Sequence, residues 1–439
     1  MTKEFKLTLD QQGIHRAITT QVNTHVGRFD CNIQGPAGTG KSTLISRIIK
    51  DLSFGFTVGV TSPTHKANRV LDTMLTEAGV EMSNCDVMTI HSFLGLKLVW
   101  KKDKQVLEID RNSPNAKKRV DVLIIDECSM ISQDMYQHIV SQSGRVRRAI
   151  IFLGDSCQLP PVEPEKAQTN LSVTFQHGVK YELTEVLRQA LDNPIIKLAT
   201  EIRQCIGQKT NPQQYLSNID DLGTIIGVND DEFYLTYLDF VQADTVEDVT
   251  ENIQNHKILA YTNAKVDEWN SVIRMTIFPD EEEEFFVGEP IVIESPSGKC
   301  PFGTQELISC PSVKKTCWFG IDCWEMRSDG QVFLVVGPKS KIEYENKLKE
   351  IVDSINTGKI NKLTKRPHTW ADYYIIKEKI TTAIYPYATT FHKSQGSTFD
   401  NIWLDLHYVS MVRDYDDKSR MLYTACTRPK HNIIINNKQ

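Results

Sequence analysis

The 439-residue sequence predicts an α/β fold in which helices cover both faces of parallel sheets, and three observations support this prediction. The run V-D-V-L-I-I at residues 120–125 is almost entirely apolar, as expected for a strand buried on both faces of a parallel sheet. A glycine-rich loop at residues 35–42 joins another short apolar run to a helical pattern. The same alternation of strands and helices returns near the end of the sequence, which predicts a second α/β domain.

The individual elements follow from the spacing of the apolar residues. The strands predicted for the first domain lie at residues 31–34, 57–61, 120–125 and 149–153. The helix predicted at residues 42–50 carries Leu44, Ile45, Ile48 and Ile49 on one side, which is the spacing of a helix packed on one face. The strands predicted for the second domain lie at residues 257–261, 401–406 and 432–435.

Two segments interrupt this alternation. Residues 97–119 contain two strand-like runs joined by a polar turn, which predicts a β-hairpin, and they carry eight Lys and Arg against three Asp and Glu. Residues 287–380 are rich in Gly, Pro and short β-like runs such as residues 331–336, and they include an amphipathic helix. We expect a small β-rich insertion with a helical projection there. The acidic run at residues 280–284, just before it, has the composition of a solvated turn.

Composition excludes several classes of protein. No stretch approaches the roughly 18 apolar residues that span a bilayer, and residues 1–10 lack an apolar signal-peptide core, so we expect a cytoplasmic protein that does not enter membranes. The ten cysteines are scattered, and the spacings within the cluster at residues 300–323 do not match a zinc finger or zinc ribbon. The formal net charge of −6 argues mildly against a nucleic-acid binder, whose contact surface must be basic even if the whole protein is not.

The loop at residues 35–42 reads G-P-A-G-T-G-K-S, which is the phosphate-binding pattern G-x-x-x-x-G-K-[ST] in its required place between a strand and a helix. Its glycines allow successive backbone N–H groups to converge on phosphate oxygens. Lys41 is expected to reach the β- and γ-phosphates of ATP, and Ser42 is expected to bind Mg²⁺. The N-terminus of the following helix favours the anion further.

Asp126 and Glu127 follow the predicted strand at residues 120–125. The carboxyl end of a parallel strand faces the ligand crevice of an α/β sheet, so both carboxylates are expected to lie near the phosphates. Asp126 suits the coordination of Mg²⁺, and Glu127 suits the orientation or deprotonation of an attacking water. Acidic pairs after strands are also common without any catalytic role.

The sequence I-I-D-E-C-S-M, followed by G-D-S-C-Q-L-P-P-V, resembles motifs II and III of superfamily 1 helicases. The order of motifs along nearly the whole chain resembles the 5′-to-3′ branch of that superfamily, which includes RecD-type enzymes and Pif1. The resemblance implies two RecA-like domains with ATP between them. It places the first domain at residues 1–187 with a pin hairpin at about 97–119, the second at 188–286 and 381–439, and an SH3-like insertion at 287–380.

The resemblance also assigns roles to residues of the ATP site. Gln11 resembles the glutamine that reads adenine, and Gln158 resembles the sensor of the γ-phosphate. Arg188 and Arg428 resemble two arginine fingers, for which a fixed charge and a forked shape suit phosphate oxygens. A polar residue at a helix start is the alternative for Gln11, and a surface salt bridge is the alternative for each arginine. The nucleotide-binding candidates are Gln11, Gly35, Pro36, Ala37, Gly38, Thr39, Gly40, Lys41, Ser42, Thr43, Gln395 and Gly396.

Three further motifs resemble those that grip the nucleic-acid strand, and they read T-S-P-T-H-K-A, T-I-H-S-F and T-T-F-H-K-S-Q-G-S-T-F-D. Hydroxyl groups can bond phosphates, while aromatic and histidine rings can stack on bases. For Phe93 and Phe391 the alternative is burial in the core, and for the basic hairpin it is a solvated charged face. The strand-binding candidates are Pro63, Thr64, His65, Thr89, His91, Phe93, Trp100, Thr390, His392, Lys393 and Ser394.

The function that the resemblance implies is an ATP-dependent helicase that moves 5′ to 3′ on single-stranded DNA and unwinds forked duplex DNA. It further implies a monomer in the cytoplasm, or in the host cytoplasm for a phage-encoded chain, working beside a single-strand-binding protein or a replisome component. Two alternatives stay open: a translocase that displaces bound proteins and unwinds weakly, and a nucleotide-gated DNA-binding switch. A small-molecule P-loop kinase would leave the second α/β domain unexplained.

Overall fold

The computed structural model describes residues 7–24, 26–101, 104–161, 171–185, 193–217, 219–328, 330–360 and 366–438. Within these ranges the chain forms two parallel α/β sheets, one mixed sheet and one hairpin. No helix of the described ranges combines the length and the apolar character needed to cross a bilayer.

The first α/β unit is a six-stranded parallel sheet. Its elements, with those of the hairpin, are β1 (Phe29–Gln34), β2 (Val58–Ser62), β3 (Cys85–Thr89), β4 (Leu96–Lys101), β5 (Lys104–Ile109), β6 (Val120–Ile125), β7 (Val146–Gly154), β8 (Val179–Glu182), α1 (Leu9–Thr24), α2 (Lys41–Ser53), α3 (His65–Glu77), α4 (Ile90–Leu94) and α5 (Gln133–Ser141). The strand order is β3-β2-β6-β7-β1-β8, and every pair is parallel. The four strands and the helix predicted here are confirmed, with ends that differ by a few residues.

The second α/β unit is a five-stranded parallel sheet. Its elements are β9 (Ile225–Val228), β10 (His256–Ala260), β17 (Ala388–Thr390), β18 (Phe399–Leu404), β19 (Pro429–Asn436), α6 (Pro194–Gln204), α7 (Gln214–Ser217), α8 (Asp230–Val241), α9 (Val246–Asn255), α10 (Asn263–Ile277) and α13 (Tyr415–Cys426). The order β17-β10-β18-β19-β9 places the last strand of the chain inside the sheet. The three predicted strands are confirmed.

The mixed sheet lies between α10 and β17 in sequence. Its elements are β11 (Pro290–Ser295), β12 (Leu307–Ser309), β13 (Lys314–Trp318), β14 (Ile321–Ser328), β15 (Gln331–Val336), β16 (Ile380–Ile384), α11 (Lys341–Thr357) and α12 (Trp370–Lys379). The order is β12-β11-β16-β15-β14-β13, and only β15 and β16 pair in parallel. The expected β-rich insertion and its helix are confirmed, and the boundary predicted at residue 381 falls within β16. The name SH3-like remains a prediction.

The insertion shares a hydrophobic core with the second α/β unit, because one cluster of buried residues includes Trp269 of α10, Ile291 of β11 and Phe333 of β15. A buried ion pair crosses the same junction, with Arg274 Nε 2.7 Å from Glu289 Oε1. The two bodies therefore form one packed unit.

Glu284 corrects the expectation of a solvated acidic turn at residues 280–284. Its carboxylate is buried and accepts hydrogen bonds from Trp324 Nε1 at 3.1 Å and from the Ser340 hydroxyl at 3.2 Å. Only the preceding residues of the run are exposed. The acidic composition of the run therefore did not indicate that Glu284 is buried and bonded to two residues of the insertion.

The basic segment contains the antiparallel pair β4 and β5, in register from Leu96 opposite Ile109 to Lys101 opposite Lys104. The predicted hairpin is thus confirmed as a structure, and its role as a pin remains a prediction. The side chain of Trp100 lies outside the described part of the chain.

Candidate functional site

The phosphate-binding loop connects β1 to α2 at the carboxyl edge of the first sheet. Gly38 and Gly40 have positive φ angles of 81° and 71°, which glycine adopts without strain. Lys41 Nζ donates hydrogen bonds to the carbonyl oxygens of Gly35 at 2.5 Å and Pro36 at 3.0 Å. The lysine therefore lies folded over the loop, and binding a phosphate there requires it to exchange these carbonyl partners for phosphate oxygens.

Gln11 lies against the same loop, as its predicted role in the nucleotide site requires. Its side chain is buried, and its amide nitrogen donates to the carbonyl oxygen of Thr39 at 2.9 Å. Its amide oxygen accepts from Thr8 N at 3.0 Å. The amide thus holds the start of α1 onto the loop, and recognition of adenine by Gln11 remains a prediction.

Asp126 and Glu127 follow β6 at the same edge of the sheet. The carboxylate of Asp126 accepts a hydrogen bond from Glu127 N at 2.9 Å. Desolvation and the neighbouring Glu127 raise the pKa of Asp126 to about 7, against the opposing charge of Lys41. Glu127 adopts a φ of 52°, which is uncommon for a residue with a side chain and is typical of strained backbone at functional sites.

Two carboxylates held together in this way repel each other, and a divalent cation would remove that repulsion. Oxygen ligands of this kind are those that Mg²⁺ prefers. Ser42 is exposed in the first turn of α2, so its hydroxyl is free to serve as a second ligand. The residues therefore fit a magnesium ion. Groups of three or more His, Cys, Asp or Glu suited to a metal do not occur within the described ranges, and all ten cysteines are free.

Residues 155–159 follow β7 and face the second α/β unit. Gln158 is buried, and within the described ranges its amide oxygen has no hydrogen-bond partner. Arg420 of α13 donates to the carbonyl oxygens of Ser156 and Gln158. A buried amide oxygen without a partner is costly in a structural residue, which favours a functional role for Gln158.

Tyr423 of α13 joins the two α/β units directly at the phosphate-binding loop. Its hydroxyl donates to Asp155 Oδ2 at 2.5 Å and accepts from Ala37 N at 3.1 Å. Burial and the carboxylate of Asp155 raise the pKa of Tyr423 well above its ordinary value, so the phenol stays protonated. One hydroxyl from the second unit thus bonds both the loop and the segment after β7.

Two more contacts cross the same boundary. The Thr424 hydroxyl accepts from Leu159 N at 3.0 Å, and Gln395 Nε2 donates to the Leu159 carbonyl at 2.8 Å. A side chain built on Gly396 would have Thr64, Ala67 and Glu127 within 4 Å. The candidate residues Gln395 and Gly396 therefore lie against the first unit.

Arg428 follows α13 and is buried at the same boundary. Its guanidinium donates to the carbonyl oxygens of Thr424 at 2.9 Å and Ser397 at 3.2 Å. Burial lowers the pKa of Arg428, and the negative charge of Glu127 counters that effect. Arg188 lies outside the described residues, and its role remains a prediction.

The strand-binding candidates of the first unit lie where β2 and β3 end side by side, since Ser62 pairs with Thr89. The hydroxyls of Thr64 and Thr89 cap the N-termini of α3 and α4. Pro63 and His91 are partly exposed beside these caps, and His65 is exposed. Burial lowers the pKa of His91, which favours its neutral form.

Phe93 is a correction. Its ring is 1% exposed in a hydrophobic cluster and lies 4.7 Å from the guanidinium of Arg145, so it cannot stack on a base. Phe391 is likewise buried in a hydrophobic cluster. Burial in the core was the alternative considered for both rings. The sequence could not distinguish the two roles, because an aromatic residue beside a motif looks the same whether it stacks on a base or packs in the core.

The second unit contributes residues 390–394. Lys393 Nζ is 3.1 Å from Glu294 Oε1 of β11, and His392 is partly buried with a lowered pKa. Thr390 caps the following turn by accepting from Lys393 N at 3.2 Å. Ser394 is fully buried and donates to the Phe391 carbonyl at 2.7 Å, so its hydroxyl is not available to a strand. This corrects the expectation for Ser394.

Sequence reasoning missed four residues that line these two regions: Arg420, Tyr423, Lys66 and Lys257. Arg420 and Tyr423 are three residues apart on α13, which places them on one face of the helix. The sequence showed this spacing, but it did not show that this face of the helix contacts the first unit. Lys66 lies within the motif T-S-P-T-H-K-A, and Lys257 begins the strand predicted at residues 257–261, but neither was singled out.

These features together define a P-loop ATPase whose nucleotide site lies between two α/β units. The model of the AAA domain family matches residues 7–230, more than half of the chain, and the model of the UvrD-like helicase C-terminal domain matches residues 385–435. The chain therefore belongs to the AAA domain family. Within that family it is an ATP-dependent helicase of the 5′-to-3′ branch of superfamily 1.

Among individual proteins, the chain is similar to the ATP-dependent DNA helicase dda of Enterobacteria phage T4, at 28% identity over 92% of this chain and 93% of that protein. It is 30% identical to the ATP-dependent RecD2 DNA helicase of Deinococcus radiodurans over 45% of this chain and 23% of that protein. It shares its fold with a Pif1 helicase from Bacteroides in complex with ADP-AlF3 and single-stranded DNA, with a TM-score of 0.51 and 17% identity over 99% of this chain and 93% of that one.

Proposed function

We propose that this helicase moves 5′ to 3′ along single-stranded DNA and unwinds forked duplex DNA, using ATP and Mg²⁺. The observation that supports the proposal most is the Tyr423 hydroxyl of the second unit, which bonds Ala37 of the phosphate-binding loop and Asp155, both in the first unit. A ligand bound to that loop would therefore be sensed by both units. ATP-driven opening and closing of this boundary would move one set of strand contacts relative to the other.

Within the nucleotide site we assign Lys41 to the β- and γ-phosphates, and Asp126 with Ser42 to Mg²⁺, which would neutralise charge on the phosphates. Glu127 would orient or deprotonate the attacking water. Arg428 would approach the γ-phosphate from the second unit when the units close, and its fixed charge would stabilise the charge developing in the transition state. Gln158 would report the γ-phosphate to α13 through its contact with Arg420.

For the strand we assign Pro63, Thr64, His65, Thr89 and His91 to one grip. Thr390, His392 and Lys393 form the other, and the hairpin with Trp100 is the candidate pin. Helix N-termini such as those of α3 and α4 favour phosphate groups. The printed names of the relatives support DNA as the substrate. We further propose a monomer that works beside a single-strand-binding protein or a replisome component.

The test is ATP-dependent unwinding of a duplex with either a 5′ or a 3′ single-stranded tail, with hydrolysis followed in the same tubes and Lys41→Ala as the inactive control. Unwinding from the 5′ tail alone is expected. DNA-stimulated hydrolysis without unwinding would instead support the translocase or the switch. Hydrolysis that no DNA stimulates would overturn the assignment of the substrate.

A further inference from the structure

Lys66 and Lys257 approach each other across the boundary between the two α/β units. Lys66 lies in the first turn of α3, and its Nζ is 4.4 Å from the centre of the Phe399 ring. Lys257 lies in β10, is 8% exposed, and has its Nζ 5.9 Å from the centre of the same ring. The two ammonium groups therefore share one aromatic neighbour.

Neither lysine has an acidic partner, since no carboxylate of the described ranges forms an ion pair with either one. Lys257 donates to the carbonyl oxygen of Pro386, which carries no full charge. Desolvation, with the charge of Arg428, lowers the pKa of Lys66 to about 8. Desolvation and the charge of Lys66 lower that of Lys257 well below its usual range. An uncompensated buried cation is unfavourable, so the buried Lys257 is poorly explained by stability, and the exposed Lys66 adds a second positive charge beside it.

Both lysines line a pocket of about 320 Å³ that α3, the segment around β17 and the turn before β12 enclose. Two other cations of the pocket are already paired. Arg69 is 2.5 Å from Glu306, and Lys393 is 3.1 Å from Glu294, and both acids belong to the insertion. The pocket therefore contains two neutralised cations and two that are not.

We propose that Lys66 and Lys257 together hold one phosphate group of the single strand's backbone at the boundary between the two units. This deepens the proposed function and rests on it. The oxygens of a phosphate accept charge-assisted hydrogen bonds from both ammonium groups and supply the missing negative charge. Two strand-binding candidates, the exposed His65 and the partly exposed Lys393, line the same pocket, so the phosphate lies on the path already assigned to the strand.

The position of Lys66 couples strand binding electrostatically to the ATP site. After desolvation, the positive charge of Arg428 is the second cause that lowers the pKa of Lys66. Ser397 lines the pocket, and its carbonyl accepts from Arg428 Nη1 at 3.2 Å. A phosphate on Lys66 neutralises the charge beside Arg428, which links strand binding to the arginine that acts on ATP.

The test uses the full-length protein and its variants Lys66→Met, Lys257→Met and the double variant, with Lys180→Met as the control. Lys180 is an exposed lysine of β8 on the far edge of the first sheet. Binding of an oligo-dT strand is measured by fluorescence anisotropy between about 50 and 300 mM salt. Each neutralised phosphate of a single strand contributes about 0.7 to the slope of log affinity against log salt.

The double variant is expected to lower that slope by about 0.7, and neither single variant by more, because the lysines share one phosphate. An unchanged slope in the double variant overturns the proposal, and a loss of about 1.4 in the double variant overturns the sharing, because two phosphates would then be lost. Lys257→Met is also expected to raise the melting temperature by removing a buried charge, whereas a structural lysine would lower it.

Inorganic phosphate distinguishes the source of the ligand. Calorimetric binding of inorganic phosphate that both variants lose, with the oligo-dT slope unchanged, would assign the pocket to a free anion and overturn the strand proposal. A wild-type protein that binds no oligo-dT at all would instead refute the proposed function, so the two failures are separable.

Discussion

The Tyr423→Phe variant tests whether the boundary between the two units controls the nucleotide site. It removes one oxygen and keeps the buried ring. The hydroxyl bonds the carboxylate of Asp155 at 2.5 Å and the backbone of Ala37 at 3.1 Å, and both partners lie in the other unit. A hydrogen bond to a charged group contributes about 1.5–3 kcal/mol, and one to a neutral group contributes about 0.5–1.5 kcal/mol.

Asp155 keeps its hydrogen bond from Cys157 N at 3.0 Å, so the loss is less than the sum of both bonds. We expect closure of the units to weaken by about 2–3 kcal/mol, which is roughly a 30- to 150-fold change in an equilibrium constant. If nucleotide binds only the closed arrangement, and that arrangement is the minor one in the free protein, the apparent affinity for nucleotide falls by the same factor.

The assay is titration with a fluorescent ATP analogue, together with steady-state hydrolysis at saturating oligo-dT. Tyr415→Phe is the matched control, because Tyr415 begins the same helix and is 41% exposed. A nucleotide affinity of Tyr423→Phe within about twofold of the control would refute the reasoning, because about 1.4 kcal/mol corresponds to a tenfold change.

Four further variants test other parts of the structure. Lys41→Ala is expected to abolish hydrolysis in a phosphate-release assay while circular dichroism and strand binding persist; retained turnover would remove the basis of the ATPase assignment. Arg428→Ala is expected to lower kcat by roughly 100-fold or more with little change in nucleotide affinity, because the finger acts on developing charge, and an equal loss in affinity would make it a ground-state contact. Arg274→Met leaves Glu289 buried without its partner and is expected to cost about 3–5 kcal/mol in urea unfolding, most of which a double variant with Glu289→Leu should restore. Asp372→Asn removes a carboxylate whose pKa the adjacent arginine and a helix N-terminus hold low, so it should cost about 1 kcal/mol at pH 7. Since the folded pKa lies below the unfolded value, that difference should shrink as the pH falls below about 4, and a constant difference would contradict the cause.

The central strands and the phosphate-binding loop could be predicted because their signals are local. The strand at residues 120–125 needs no partner to be recognised, since its burial on both faces leaves almost no polar residue in it. The loop is recognisable because the glycines must adopt backbone angles that other residues avoid. Asp126 and Glu127 follow from the strand by topology alone.

What the sequence could not show depends on contacts between distant segments. The hydroxyl of Tyr423 bonds Ala37 and Asp155, and no sequence pattern near α13 indicates those partners. Glu284 sits in an acidic run that resembles a solvated turn, yet Trp324 and Ser340 bind it inside the core. In each case the burial of the side chain was set by tertiary packing rather than by its neighbours in sequence.

The position of β19 inside the second sheet also determines when the nucleotide site can form during synthesis. Among the strands that the structure describes, β9 pairs only with β19, through partners such as Ile225 and Ile433. Roughly 200 residues separate these partners, which at about 5–20 residues per second is some 10–40 seconds of translation. The first unit can fold during that interval, while β9 has no strand partner and exposes an unpaired edge. Tyr423 and Arg428 emerge just before β19, so their contacts at the boundary between the two units form only after nearly all of the second unit has been synthesised.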